Sequence, residues 1–233
     1  MSSKVPSQYL SVFYFGKVFN KKFSFQRILL IFLLSCFTNF SEAHGYQNLD
    51  KKFQAKLEKV LASKDKLVLV IKHEYKLYLY FSGRIQKKYE IALSQSPVGR
   101  KNKKGDLKVP EGEYKICKKA KGPFGSKPWW KVYFGPRWIK INYPNEHDAL
   151  IGYRKKIIIK NQYEAIVSAL RNNRIPPQNT GLGGGIGIHG WSPSDWENDG
   201  NRNITWGCIS MHNDDLIEFY DLVGIGTKII ISE

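Results

Sequence analysis

Leu67–Leu93 reads LVLVIKHEYKLYLYFSGRIQKKYEIAL, and this stretch decides the architecture. Leu67 to Ile71 is a continuous apolar run, the composition of a buried strand. Lys76 to Phe81 then alternates, with Leu77, Leu79 and Phe81 on one face and Tyr78 and Tyr80 on the other. Ser82-Gly83 supplies a hairpin turn, and Arg84 to Leu93 returns as the partner strand. Three strands within so short a span put the chain in a mainly β class.

Downstream the same grammar recurs. Ser94 to Asp106 is a basic, glycine-containing loop, and Pro110-Glu111-Gly112 leads into a strand from Glu113 to Lys118. Gly122 to Pro136 reads as an irregular loop rich in Gly, Pro and aromatic residues, and Trp138 to Asn142 as a short strand. Asn161 is placed to cap a helix running through Leu170, with Glu164 completing a capping box. Arg171 to Gly185 is a polar loop, and Ile186 to His189 another short strand. Asn213 is placed to cap a second helix, with Asp214 and Asp215 in its first turn where acidic groups suit the helix dipole. Gly224 ends that helix, and Lys228 to Ser232 is the last strand. No βαβ rhythm and no glycine-rich nucleotide loop is present, which excludes a Rossmann or P-loop domain.

Upstream, Asp50 to Ala62 has helical spacing, with Phe53, Leu57, Val60 and Leu61 on one stripe. Before it, Lys4, Lys17, Lys21, Lys22 and Arg27 precede an apolar run beginning at Ile28, followed by Ser41-Glu42-Ala43. Basic, apolar, small is the order of a secretory signal. The apolar core is shorter than the roughly 20 residues that span a bilayer. The expected division is a signal peptide or membrane anchor at 1–43, a linker and short helix at 44–65, and the main domain at 66–233. Cleavage after Ala43, lipidation of Cys36 and an uncleaved anchor are the three fates considered. The formal net charge of +17 calls for anionic surroundings. Export separates the chain from most nucleic acid, so no nucleic-acid partner is expected. Without the export segment, Cys117 and Cys208 are the two remaining cysteines, and in an oxidising compartment they form a candidate disulfide.

The chemistry concentrates in Ile186–Met211, IGIHGWSPSDWENDGNRNITWGCISM. His189 ends a strand and is followed by Gly190; a polar loop then leads to Gly207-Cys208. A loop holding Pro193 and Gly200 can fold back and bring imidazole and thiol together. Cysteine attacks as its thiolate, and a neighbouring imidazole can take the proton and later return it to a leaving amine. Gly207 allows a sharp bend that aims the amides of Gly207 and Cys208 at a developing oxyanion. No clustered ligand spacing suggests a metal, and no cofactor is expected.

These segments resemble the L,D-transpeptidase catalytic domain, also called YkuD. Ile188-His189-Gly190 is similar to the family's histidine segment, and Thr205-Trp206-Gly207-Cys208-Ile209-Ser210-Met211 to its Ser/Thr-x-Gly-Cys segment. Gly226-Thr227 followed by Lys228–Ile231 is similar to its closing strand. Gly105-Asp106, Val109 to Tyr114, and Tyr143-Pro144-Asn145 with Asp148 resemble one branch of it. The resemblance implies a YkuD-like β-sandwich with two or three peripheral helices, and Cys208 as nucleophile with His189 as base. It implies Gly207 and Cys208 as oxyanion donors, and a backbone carbonyl such as that of Gly190 orienting the imidazole. The implied substrate is the peptidoglycan stem peptide, with a second stem, a lipoprotein lysine or water as acyl acceptor. The chain departs from the usual pattern at Trp206, where many members carry His, and at Ser210, where many carry Arg or Asn. Both positions stand where substrate would bind.

Two classes of function follow. One is the transpeptidase, with hydrolysis of the same bonds as its variant. The other is a non-catalytic, basic wall-binding protein with a Cys117–Cys208 disulfide. Trp129, Trp130 and Trp138 read as loop anchors, with a glycan or peptide contact as the alternative. Lys101, Lys103 and Lys104 read as a solvated loop that could meet stem carboxylates. His212 reads as a helix-start residue, and His73 and His147 as surface residues.

Overall fold

The computed structural model describes residues 65–191 and 201–233. The expected signal segment, the linker, the Asp50–Ala62 helix and residues 192–200 of the loop between His189 and Cys208 lie outside the described residues.

Strands β1 (Lys66–Ile71), β2 (Lys76–Phe81) and β3 (Arg84–Ser94) form the antiparallel meander expected from the opening run. Ser82 and Gly83 both take positive φ, the conformation a tight turn needs to match the twist of the strands it joins. The alternation of β2 fails at one point. The register against β3 shifts between Leu79 and Tyr80, and at this end of the strand Tyr80 is buried while Phe81 is 45% exposed.

Six more strands follow: β4 (Gly112–Lys121), β5 (Arg137–Ile141), β6 (Gly187–Trp191), β7 (Asn203–Thr205), β8 (Ile209–His212) and β9 (Lys228–Ser232). The sheet runs β2-β1-β9-β4-β5-β6-β8-β3, and β2 also pairs with β3, so eight strands close a circuit with β7 attached to β3. Closure leaves no free edge within that circuit. The domain is mainly β, as expected. Its pairings describe one barrel-like sheet where the expectation was a sandwich, because β2 is hydrogen-bonded on both sides.

The strands turn one set of side chains inward: Val68, Leu77, Ile91, Ile116, Ile139 and Ile188 are representative, each essentially inaccessible. Full burial of such a side chain contributes roughly 1.5–3 kcal/mol.

The described residues contain four helices rather than two or three. Helix α1 (Pro128–Phe134) lies inside the segment expected to be irregular. Pro128 at its start and Gly135 at its C-cap are the usual helix boundaries, but seven residues are too few to show an apolar stripe. Helix α2 (Glu146–Arg154) was not anticipated; Asn145 and Asp148 cap it reciprocally, at 2.8 and 2.9 Å. Helix α3 (Lys160–Arg171) starts one residue before Asn161, and the Ile159 amide donates to Gln162 at 3.2 Å. Glu164 instead faces Lys160 on the next turn. Helices α2 and α3 share a small core of Ala149, Ile158, Ile166 and Leu182. Helix α4 (Asn213–Leu222) is preceded by His212 as N-cap, with Asp214 and Asp215 in its first turn. Its Leu216, Phe219 and Tyr220 join the main core.

Candidate active site

The site occupies the face of the sheet opposite the main core. On β5, β6 and β8 the residues Ile139, Ile188 and Ile209 point inward. Their alternates point the other way, and the register aligns them: Trp138 with His189, and His189 with Ser210. Cys208 precedes Ser210 by two residues and shares this face. Helix α1 covers the patch, placing Tyr133 and Phe134 against the imidazole.

His189 is fully buried. Its Nδ1 lies 2.7 Å from the Gly190 carbonyl oxygen, an atom that only accepts, so Nδ1 carries the proton and donates. The neutral ring therefore presents a bare Nε2, which has no hydrogen-bond partner among the described residues. Tyr133 and Trp138 flank the ring at centroid distances of 4.9 and 5.7 Å, and Phe134 meets it edge-on at 5.4 Å. Burial among these rings pulls the imidazole pKa down to about 4, against weaker opposing contributions from the backbone at Gly190 and Tyr133.

Cys208 is 8% exposed. Its Sγ points at the Gly185 carbonyl, 3.5 Å away. Burial pushes the thiol up to about 11, while the Gly187 backbone and the charges of Lys101 and Lys140 act in the opposite direction. The resting pair is thus a neutral thiol and a neutral imidazole.

The turn before the thiol is held by Thr205. Its hydroxyl donates to the Cys208 carbonyl at 2.6 Å and accepts a long 3.4 Å bond from the Gly207 amide. Gly207 takes φ +140°, and a Cβ there would press on the Lys108 carbonyl oxygen at 3.1 Å, so only glycine suits the bend. Gly190 is required for another reason: a Cβ on it would collide with Asn213 Oδ1. Trp206 is 53% exposed and stacks on Tyr133 at 5.1 Å, forming the outer lip. Ser210 is inaccessible, and its hydroxyl is unpartnered.

Several residues escaped sequence reading. Tyr133 and Phe134 sat in an apparent loop. Ser94, buried with its hydroxyl unpartnered, lies two residues past Ala92, whose ladder partner is Ser210. Lys101 is not solvated: it is 5% exposed and bound to Asp106 at 2.7 Å. Lys103 and Lys104 are exposed as expected. Trp138 serves the site directly through its stack on His189, whereas Trp129 and Trp130 stack on each other at 3.8 Å, with Trp129 partly exposed.

The Cys117–Cys208 disulfide is overturned: both thiols are free. Strands β4 and β8 are separated by β5 and β6, so the two residues stand roughly 14 Å apart at ordinary strand spacing. A disulfide needs Cα atoms within about 7 Å. No group of three or more potential metal ligands occurs among the described residues.

A closed β sheet that presents one buried thiol and one buried imidazole from neighbouring strands defines the class: a small β domain built around a Cys-His pair. The chain belongs to the YkuD family, the L,D-transpeptidase catalytic domain, which it matches over residues 65–231. It is 24% identical over 177 residues to YqjB of Bacillus subtilis strain 168, named as a candidate L,D-transpeptidase, and the match covers 72% of each chain. Among solved structures it is similar to the helical cell shape determining protein Pgp2 from Campylobacter jejuni, at 26% identity and TM-score 0.46. That match covers 72% of this chain and 48% of Pgp2. It is also similar to Bd1075 of Bdellovibrio bacteriovorus, at 23% identity and TM-score 0.46, covering 73% of this chain and 49% of the other. The chain thus spans about half the length of these two structures.

Proposed function

We propose that this chain is an exported cysteine acyltransferase that works on peptidoglycan stem peptides, with Cys208 as nucleophile and His189 as base. The observation that carries the proposal is the bare, buried Nε2 of His189, fixed by the Nδ1 bond to Gly190, on the same sheet face as Cys208.

The thiol proton passes to His189 Nε2 as sulfur attacks the carbonyl of an L,D bond, usually that of diaminopimelate. The resulting oxyanion takes the amides of Cys208 and Gly207, the latter leaving its long bond to Thr205. The C–N bond then breaks, and the imidazolium returns its proton to the departing amine. A thioester remains on Cys208. An amine of a second stem or of a lipoprotein lysine, or a water molecule, attacks that thioester and loses a proton to His189, and the C–S bond breaks as the imidazolium returns that proton to the departing sulfur. Family membership supports the reaction class, and the aromatic cover over His189 supports transfer over hydrolysis by excluding water. Trp206 contacts the bound peptide in this account as a stacking lip, whereas Ser210, expected to bind substrate, is inaccessible beside the imidazole and touches none.

Product analysis tests the proposal. The full chain, incubated with disaccharide tetrapeptide, yields cross-linked dimers, and Cys208→Ala yields none. Shortened monomers without dimers would make the activity hydrolytic. No products from either chain would refute it.

A further inference from the structure

Strand β5 sends Ile139 and Ile141 into the core and leaves Trp138 and Lys140 on the other face, where Trp138 stacks on His189. Lys140 is half-buried. Its ladder partners are Lys118 on β4 and Gly187 on β6. Two lysines directly opposite each other repel, so this pairing is unfavourable unless an anion joins it. Among the described residues neither ammonium makes an ion pair or hydrogen bond.

Elsewhere the fold answers its withdrawn cations. Lys72 meets Glu111 and Glu233, Lys101 meets Asp106, and Arg100 meets Asp148. Lys140 has no such partner among the described residues, and it stands beside the site. Gly187 separates it from Cys208 and carries no side chain; a Cβ there would strike Trp138 and the Ile139 carbonyl. Two strand spacings, about 10 Å, lie between the two backbones, and the long lysine stem reaches across part of this gap. The charge of Lys140 acts on Cys208, and burial lowers the pKa of its ammonium.

We propose that Lys140, with Lys118 beside it, is a carboxylate-binding subsite that holds a carboxylate of the donor stem peptide next to Cys208. This deepens the acyl-transfer proposal and rests on it. The residues flanking the scissile bond offer two such groups: the free carboxylate of diaminopimelate and the C-terminal carboxylate of the leaving residue.

The test uses the full chain and Lys140→Gln, with Lys140→Arg as the charge-retaining control and circular dichroism to establish folding. The first readout needs no peptide: the rate of Cys208 alkylation by anionic iodoacetate relative to neutral iodoacetamide. The ratio falls about tenfold in Lys140→Gln and is retained in Lys140→Arg; an unchanged ratio in Lys140→Gln overturns the subsite. The second readout is turnover of tetrapeptide. Lys140→Gln raises KM about tenfold with kcat little changed, the pattern of lost uniform binding. Amidating the recognised carboxylate reproduces that loss in the parent chain and removes the effect of the substitution, and which amide does so identifies the group. If amidating neither carboxylate changes KM, the subsite is refuted. If the parent chain turns over no tetrapeptide, the acyl-transfer proposal fails while the alkylation ratio still decides on Lys140.

Discussion

At the scale of single residues, the site is set by what burial does to two titratable groups. The imidazole of His189 is held near 4 and the thiol of Cys208 near 11. Between those values the free protein holds a neutral pair, and thiolate is formed only as the base withdraws the proton. Alkylation of Cys208 by iodoacetamide is therefore slow at pH 7 and accelerates as pH rises toward 11. A fast rate already level at pH 5–7 would mean a resting thiolate–imidazolium pair. The same burial predicts an acid sensitivity. Unfolded histidine titrates near 6.5. Between about 6.5 and 4 the unfolded chain binds a proton that folded His189 refuses, so stability falls as pH drops through that window. The loss amounts to on the order of 3 kcal/mol at its lower end. Urea midpoints at pH 7 and 4.5 check this: they converge in His189→Gln and separate in the parent chain.

Elements differ in how far their residues reveal them. The β1–β3 meander was legible because hairpin signals are local: alternating side chains, then Ser82-Gly83. The β2 register shift was not, since it answers to β3 rather than to β2 itself. Helix α1 escaped because its aromatic residues pack on β6, a neighbour distant in sequence. The motif Ile188–Gly190 and Thr205–Met211 showed the candidate pair, but not the roof over it or the cation beside it. The Gly105-Asp106 motif acquires a physical account here. Asp106 accepts from the amides of Asn102 and Lys103 at 2.7 and 2.9 Å and holds the Lys101 ammonium, so it shapes the loop. Asp106→Ala leaves Lys101 buried and unpaired, and the expected loss is about 3–5 kcal/mol in denaturant unfolding. A loss under 1 kcal/mol would show the loop to be held by other contacts.

For the whole molecule, export and cell-wall chemistry stand or fall together. Residues 1–43 carry five basic residues and one acidic residue, so the chain beyond them remains strongly basic and suited to an anionic polymer. Expressed in a bacterium with an export pathway, the chain is expected to end up outside the cytoplasm with His44 as its first residue, as N-terminal sequencing would read. A start at Met1 would favour the uncleaved anchor, and a lipidated Cys36 the lipoprotein alternative. Closure of the sheet depends on pairs far apart in sequence, β1 with β9 above all, and this is why the mainly β class was legible while the closed circuit was not. The circuit brings β6 and β8 side by side and so places His189 and Cys208 on one face. The central claim is that this thiol carries the acyl group. Intact-protein mass spectrometry of the chain, quenched in acid during turnover of disaccharide tetrapeptide, tests it most directly. The account predicts a mass increase equal to the acyl fragment, mapped to Cys208 and missing from Cys208→Ala. Turnover that persists in Cys208→Ala, or an adduct mapped to another residue, would contradict it.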